Sequence, residues 1–146
     1  MADPVDDGAE HSATGRGFGR VLVFVYGVFA VAATGRSTLQ LATQASEAPV
    51  PYALSAFAAV IYIVATLALA TGRRRLALLA VGTELAGVLV VGATSLLVPD
   101  EFPDATVWSE FGAGYGYVPL VLPLAGLWWL LRGAQSDTVT SVANGP

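Results

Sequence analysis

One group able to do chemistry sits where lipid is expected: Glu84, the single charge in the apolar run Leu76 to Val98 that follows Arg73-Arg74-Arg75. At about 1.5 Å per residue that run spans roughly 34 Å as a helix, enough to cross a bilayer with some tilt. Glu84 then lies about 13 Å below the basic end. An ionisable side chain at that depth costs roughly 2.5–3.5 kcal/mol on insertion scales, so it must face other helices or a wet cavity. Two roles suit it. It titrates or binds a ligand, or it is a neutral acid hydrogen-bonded to Tyr62 or Thr66 that holds helices together.

Arg36 is the second candidate. It falls roughly 24 Å from Arg20 along a common helix, in line with Phe29, Ala32, Ala33, Gln40, Thr43 and Glu47. It either snorkels to the outer headgroups or sits in a pocket, opposite a loop carboxylate or an anionic ligand. A direct pair with Glu84 is strained, because their heights differ by about 10 Å. Glu84, Arg36, Gln40, Tyr62, Thr66, Ser55 and Tyr115 together form the set of ligand-binding or proton-handling candidates.

Catalysis has little to work with. The chain has no Cys and one His, His11, in a polar N-terminal stretch. No nucleophile–base pair is visible, so no catalytic residue is assigned. No metal site and no cofactor is implied either. All seven basic residues are Arg and only one triplet of them occurs, which argues against a nucleic-acid partner.

The elements that must position these groups are helices in a membrane. At 146 residues, 55% hydrophobic and 12% charged, the chain is too apolar for an ordinary soluble domain. Four spans are expected, at about 20–42, 51–71, 76–98 and 116–132, with disordered tails at 1–17 and 133–146. A cleaved signal peptide ending near Ala30-Val31-Ala32 is the competing reading of the first span. The fold class expected is all-α: an antiparallel four-helix transmembrane bundle. A short interfacial helix is expected over Asp104 to Phe111, with Asp104 as its cap and Val107, Trp108 and Phe111 on one face. Trp108 reads as an interfacial anchor whose loss leaves assembly intact while shifting the loop towards solvent, and Trp128 and Trp129 beside Arg132 read as a second interfacial anchor.

At 3.6 residues per turn each span has one small or polar stripe. In the third, Glu84 shares its face with Ala77, Ala80, Gly87, Val88, Val91 and Ser95. In the second, Ser55, Ala58, Ala59, Tyr62 and Thr66 align, and in the fourth Gly112, Tyr115, Pro119, Pro123 and Gly126. Small stripes let helices approach closely. The arginines flank one set of span ends, and the acidic loop Pro99 to Tyr115 lies at the other. The positive-inside rule then puts both termini in the cytoplasm of a multi-pass cell-membrane protein.

Three stretches, VYGVFAVAATGRSTLQLAT, YALSAFAAVIYIVAT and FPDATVWSEFGAGYGYVPLVLPLAGLWWL, resemble a family of small four-span integral membrane proteins of actinobacteria that has no assigned function. The resemblance covers about residues 20 to 132 and implies a Gram-positive cytoplasmic membrane. In helix count and size the chain also looks weakly like the DoxX-type membrane proteins, which are associated with quinone and redox partners. The function expected is non-catalytic: a partly polar bundle interior binding a lipid, a quinone-like molecule or a larger membrane partner. The alternative is a proton-linked transporter or transporter subunit with Glu84 as titrating group. The bilayer itself, a membrane-protein partner or a second copy of the chain are the partners implied.

Overall fold

The computed structural model describes residues 7–143, with side chains from 15 to 135. Among these residues the chain is all helix, turn and coil, with no strand. Helix α1 runs Asp7–Gln44, α2 Pro49–Ala70, α3 Arg74–Leu97 and α4 Val118–Ala143. Two 3-10 turns, Pro99–Glu101 and Ser109–Tyr115, lie between α3 and α4.

Prolines and one glycine set most of these limits. No proline falls between Pro4 and Pro49, so nothing stops α1 before Ala48, which the following ring forces to φ −145°, ψ 71°. Pro49 and Pro51 then serve the first turn of α2, where no amide donor is needed. The α2–α3 turn closes on Gly72 at φ 67°. Gly72 N–H donates to Leu69 O and Arg73 N–H to Ala68 O, a paired cap that requires a left-handed residue. Pro99 ends α3 in the same way that Pro49 ended α1.

α1 is longer than the expected first span. Helical backbone begins at Asp7 and includes most of the stretch expected to be a tail, and α4 likewise continues to Ala143. Residues 1–6 and 144–146 of the expected tails lie outside the described residues. The Trp129 indole donates to Gly15 O at 3.1 Å, which ties this first part of α1 to α4.

α1 packs mainly on α2, α2 on α3, and α3 on α4, with α1 and α4 touching lightly. α1, α2 and α3 are each long and apolar enough to cross a membrane. A fourth crossing exists if the 3-10 turn Ser109–Tyr115 and α4, bent by 101°, count as one span. Large apolar side chains such as Phe24, Val31, Leu79, Val90 and Leu97 are exposed around the helices. Lipid is the solvent that suits such a surface, and these are the features of a multi-pass membrane protein.

The arginine ends of the helices come together. Arg74 donates from Nε and Nη2 to Leu130 O at 3.2 and 3.0 Å, and Phe18 meets Trp128 edge-on at 5.9 Å. Trp128 is half exposed and carries the Arg132 guanidinium 4.5 Å above its ring. Trp129 is more enclosed, its ring lying where a Cβ on Gly19 would come within 2.7 Å.

The other end is built differently. Gly126 of α4 sits against Val81 of α3. From that contact α4 extends about 12 Å to Val118, while α3 continues about 24 Å to Leu97. The remaining flank of α3 is covered by loop 102–117 instead of helix. Trp108 lies over Gly87, where a Cβ would approach its ring to 2.5 Å, and Phe111 lies over Gly92 at a similar distance.

This corrects the expected interfacial helix. Asp104 to Trp108 is coil and turn, and the 3-10 segment that follows contains left-handed residues at Glu110, Phe111 and Gly112. Asp104 caps nothing; its Oδ2 accepts from Tyr52 Oη at 2.5 Å. Trp108 is 1% exposed, plugged into the bundle instead of presented on its surface. The physical reason is that α4 begins at Val118, about 12 Å short of the far end of α3, and an indole fills the gap better than water does.

Candidate functional site

Irregular backbone packed inside an apolar bundle is tolerated only where protein satisfies it, and here side chains do so. Thr106 Oγ1 accepts from the amides of Trp108 and Ser109 at 3.1 and 3.0 Å, and Ser109 Oγ accepts from Thr106 N–H at 2.9 Å. Glu110 N–H donates to Ser95 Oγ of α3 at 2.8 Å. The plug is therefore a fixed part of the interior, and it brings Trp108 and Tyr115 to the candidate residues.

Glu84 is fully buried on the small face of α3, together with Ala77, Ala80, Val88, Val91 and Ser95. Its expected partners were Tyr62 or Thr66. Tyr26 of α1 is an added partner and donates its hydroxyl to Oε2 at 2.6 Å, while Tyr62 interacts with the same carboxyl. Tyr62 is fully buried beside the same carboxyl and accepts from Trp108 Nε1 at 3.1 Å. Thr66 turns back to its own helix, donating to Tyr62 O at 2.7 Å.

Tyr26 was missed because the α1 stripe was centred on Arg36. The buried stripe is Leu22, Tyr26, Ala30, Ala33 and Ser37, rotated from the expected one, and Thr43 and Glu47 on the expected face are exposed. The signal available was Tyr26 itself, the one residue with a hydroxyl in the apolar half of that span.

Aromatic rings connect the carboxyl to the acidic end. Tyr26 and Tyr62 lie 6.2 Å apart, Phe29 lies 5.5 Å from Tyr62, and Tyr115 lies 6.0 Å from Phe29. Arg36 then donates from Nη1 to Tyr115 Oη at 2.7 Å and from Nη2 to Ala105 O at 2.5 Å. So Arg36 faces the loop and is half buried; it does not reach Glu84. Both acceptors are neutral, and among the described residues no carboxylate forms an ion pair with it.

Beside Arg36 is a cavity of about 120 Å³ lined by Val28, Phe29, Ala32, Ala33, Ser55, Val107 and Tyr115 as well as Arg36 itself. Ser55 Oγ is buried there without a hydrogen-bond partner, and the nearby α1 groups Ser37 Oγ and Gln40 Oε1 are also unsatisfied. Native interiors leave few such groups, and each calls for an occupant or a reason. The structure thus gathers Arg36, Ser55 and Tyr115 at one cavity and Glu84, Tyr26 and Tyr62 at a second, deeper centre; Thr66 belongs to neither. No group of His, Asp and Glu side chains among the described residues is arranged to hold a metal ion.

Comparison with known proteins adds no identity: no protein-family model, no curated protein and no solved structure matches the chain.

Proposed function

We propose that this chain is a non-catalytic membrane protein, built as a plugged four-helix bundle, that binds a small lipid-soluble ligand in the cavity beside Arg36. The observation that carries this reading is the coincidence of an unpaired cation and an orphaned, buried Ser55 hydroxyl on the wall of one cavity. Burying a hydroxyl without a partner costs about 1–3 kcal/mol, a cost that a ligand removes. The ligand class includes lipids and quinone-like molecules, and a membrane-protein partner or second copy would reach it through the bilayer. Native mass spectrometry of the full chain released from its own membrane should show a small-molecule adduct. Ala32→Phe, which fills the cavity, should abolish the adduct. A wild type free of any adduct sinks the reading.

A second reading, a proton-linked transporter with Glu84 as the titrating group, draws on the fully buried carboxyl whose Oε1 lacks a partner. Glu84→Gln keeps size and hydrogen bonding but removes titration. If Glu84 handles protons, transport-linked phenotypes fall while the fold persists. If it is a structural acid, Glu84→Gln is nearly silent and Glu84→Ala costs roughly 0.6–2 kcal/mol, the range for an interhelical hydrogen bond. Infrared spectroscopy of the carboxyl between about pH 5 and 9 separates the two: a band that never changes leaves only ligand binding.

Orientation belongs to the same proposal. The arginine end is placed in the cytoplasm, with four crossings and both termini inside. Because the chain has no Cys, single replacements Ser12→Cys, Arg75→Cys and Ser136→Cys are clean reporters. All three should resist a membrane-impermeant thiol reagent in intact cells, and Asp100→Cys should react. Labelling at position 75 from outside overturns the arrangement. Membership of the small four-span actinobacterial family, and hence a Gram-positive cytoplasmic membrane, is proposed on the residue likeness alone.

A further inference from the structure

We infer that the occupant of the cavity is a long-chain monocarboxylate, its carboxylate on Arg36 and Ser55 and its chain leaving past Val28 and Ala32; this rests on the ligand-binding reading above. Arg36 spends one donor on the Tyr115 hydroxyl and one on the Ala105 carbonyl. A guanidinium has five N–H donors in a fixed fork that matches a carboxylate, so donors remain. Its two acceptors are neutral oxygens, and the Asp104 carboxylate beside Ala105 accepts from the Tyr52 hydroxyl and makes no ion pair with it. An anionic head on the remaining donors would form charge-assisted hydrogen bonds that a neutral head cannot match. Ser55 Oγ, buried and unpartnered on the same wall, supplies a further donor.

Size and lining select the rest of the molecule. A cavity of about 120 Å³ is slightly smaller than the roughly 150 Å³ space that accepts benzene. It admits a carboxylate and a few carbons, and it is too small for a phosphoglycerol head with two esterified chains. Apart from Arg36, Ser55 and the Tyr115 hydroxyl, the wall is apolar. Val28 and Ala32 belong both to this wall and to the exposed surface of α1. An alkyl chain therefore has a way out into lipid, on the side away from the plug.

The test uses the purified full chain in nanodiscs of neutral phosphatidylcholine, with radiolabelled oleate as probe. Oleate should bind saturably at one per chain. Oleyl alcohol, which has the same chain without the charge, should compete at least tenfold less well, and dioleoyl phosphatidate should not compete. Arg36→Gln should weaken oleate binding at least tenfold and Ser55→Ala several-fold, with Ser55→Ala no less stable than wild type because it removes an orphaned hydroxyl. Arg36→Gln also removes two hydrogen bonds to the loop, so if it fails to fold the wild-type competition decides. Equal competition by oleyl alcohol, displacement by phosphatidate, or unchanged oleate binding by a folded Arg36→Gln overturns the carboxylate assignment. The cavity reading survives that outcome if Ala32→Phe abolishes the binding seen. If none of the three probes binds saturably, the carboxylate assignment falls, and the native adduct with its loss in Ala32→Phe decides the cavity reading.

Discussion

Replacing Trp108 by alanine is expected to destabilise the fold by about 3–5 kcal/mol, the range for emptying a buried aromatic site. The indole is 1% exposed, packs edge-on against Phe57 and Tyr62, and gives its N–H to the Tyr62 hydroxyl. Its removal leaves a void over Gly87 and takes a partner from a fully buried tyrosine. Trp128→Ala is the matched control. That ring is half exposed and offers an edge-on contact with Phe18 and a contact with Arg132, each worth about 0.5–1.5 kcal/mol. Thermal aggregation of the detergent-purified variants, followed by size exclusion, should separate the two widely. A Trp108→Ala protein as stable as Trp128→Ala would show that the tryptophan lies in the headgroups after all.

The second large effect is expected at Gly112, where the loop turns towards α4. Its φ is 83°, and a Cβ there would lie 2.8 Å from three atoms of the Pro119 ring. A left-handed backbone costs an L-residue roughly 1–2 kcal/mol, and overpacking adds about 1–3 kcal/mol. Pro119 is buried and its ring is rigid, so the clash is not relieved by a rotamer change. Gly112→Ala should therefore lose folded protein, while Gly114→Ala, two residues on with open space around it, should behave like wild type. Equal behaviour of the two variants would mean that the loop relaxes freely and is no plug. In that case the cavity wall formed by Val107 and Tyr115 also loses its support.

The helices, their buried faces and the isolation of Glu84 were legible in the sequence, because hydropathy and a 3.6-residue period are local properties. Ala77, Ala80, Glu84, Val88, Val91 and Ser95 were expected on one face of the third span and are buried together. The second span likewise turns Ser55, Ala58, Ala59 and Tyr62 inward and leaves Phe57, Val60 and Leu67 exposed. What no periodicity contains is the rotation of one helix against another. The face of α1 that meets α3 depends on how α2 seats both, so Tyr26 joins Tyr62 at Glu84 and donates to it. Loop 102–117 was decided by tertiary structure for a different reason. A tryptophan is amphipathic and suits an interface as well as a core, and only the short reach of α4 and the flat sockets at Gly87 and Gly92 choose the core. That choice carries Tyr115 and Ala105 to Arg36 and makes the cavity. Thus the sequence determined that a charge would be buried among small residues in a membrane, and tertiary packing decided what the charges meet.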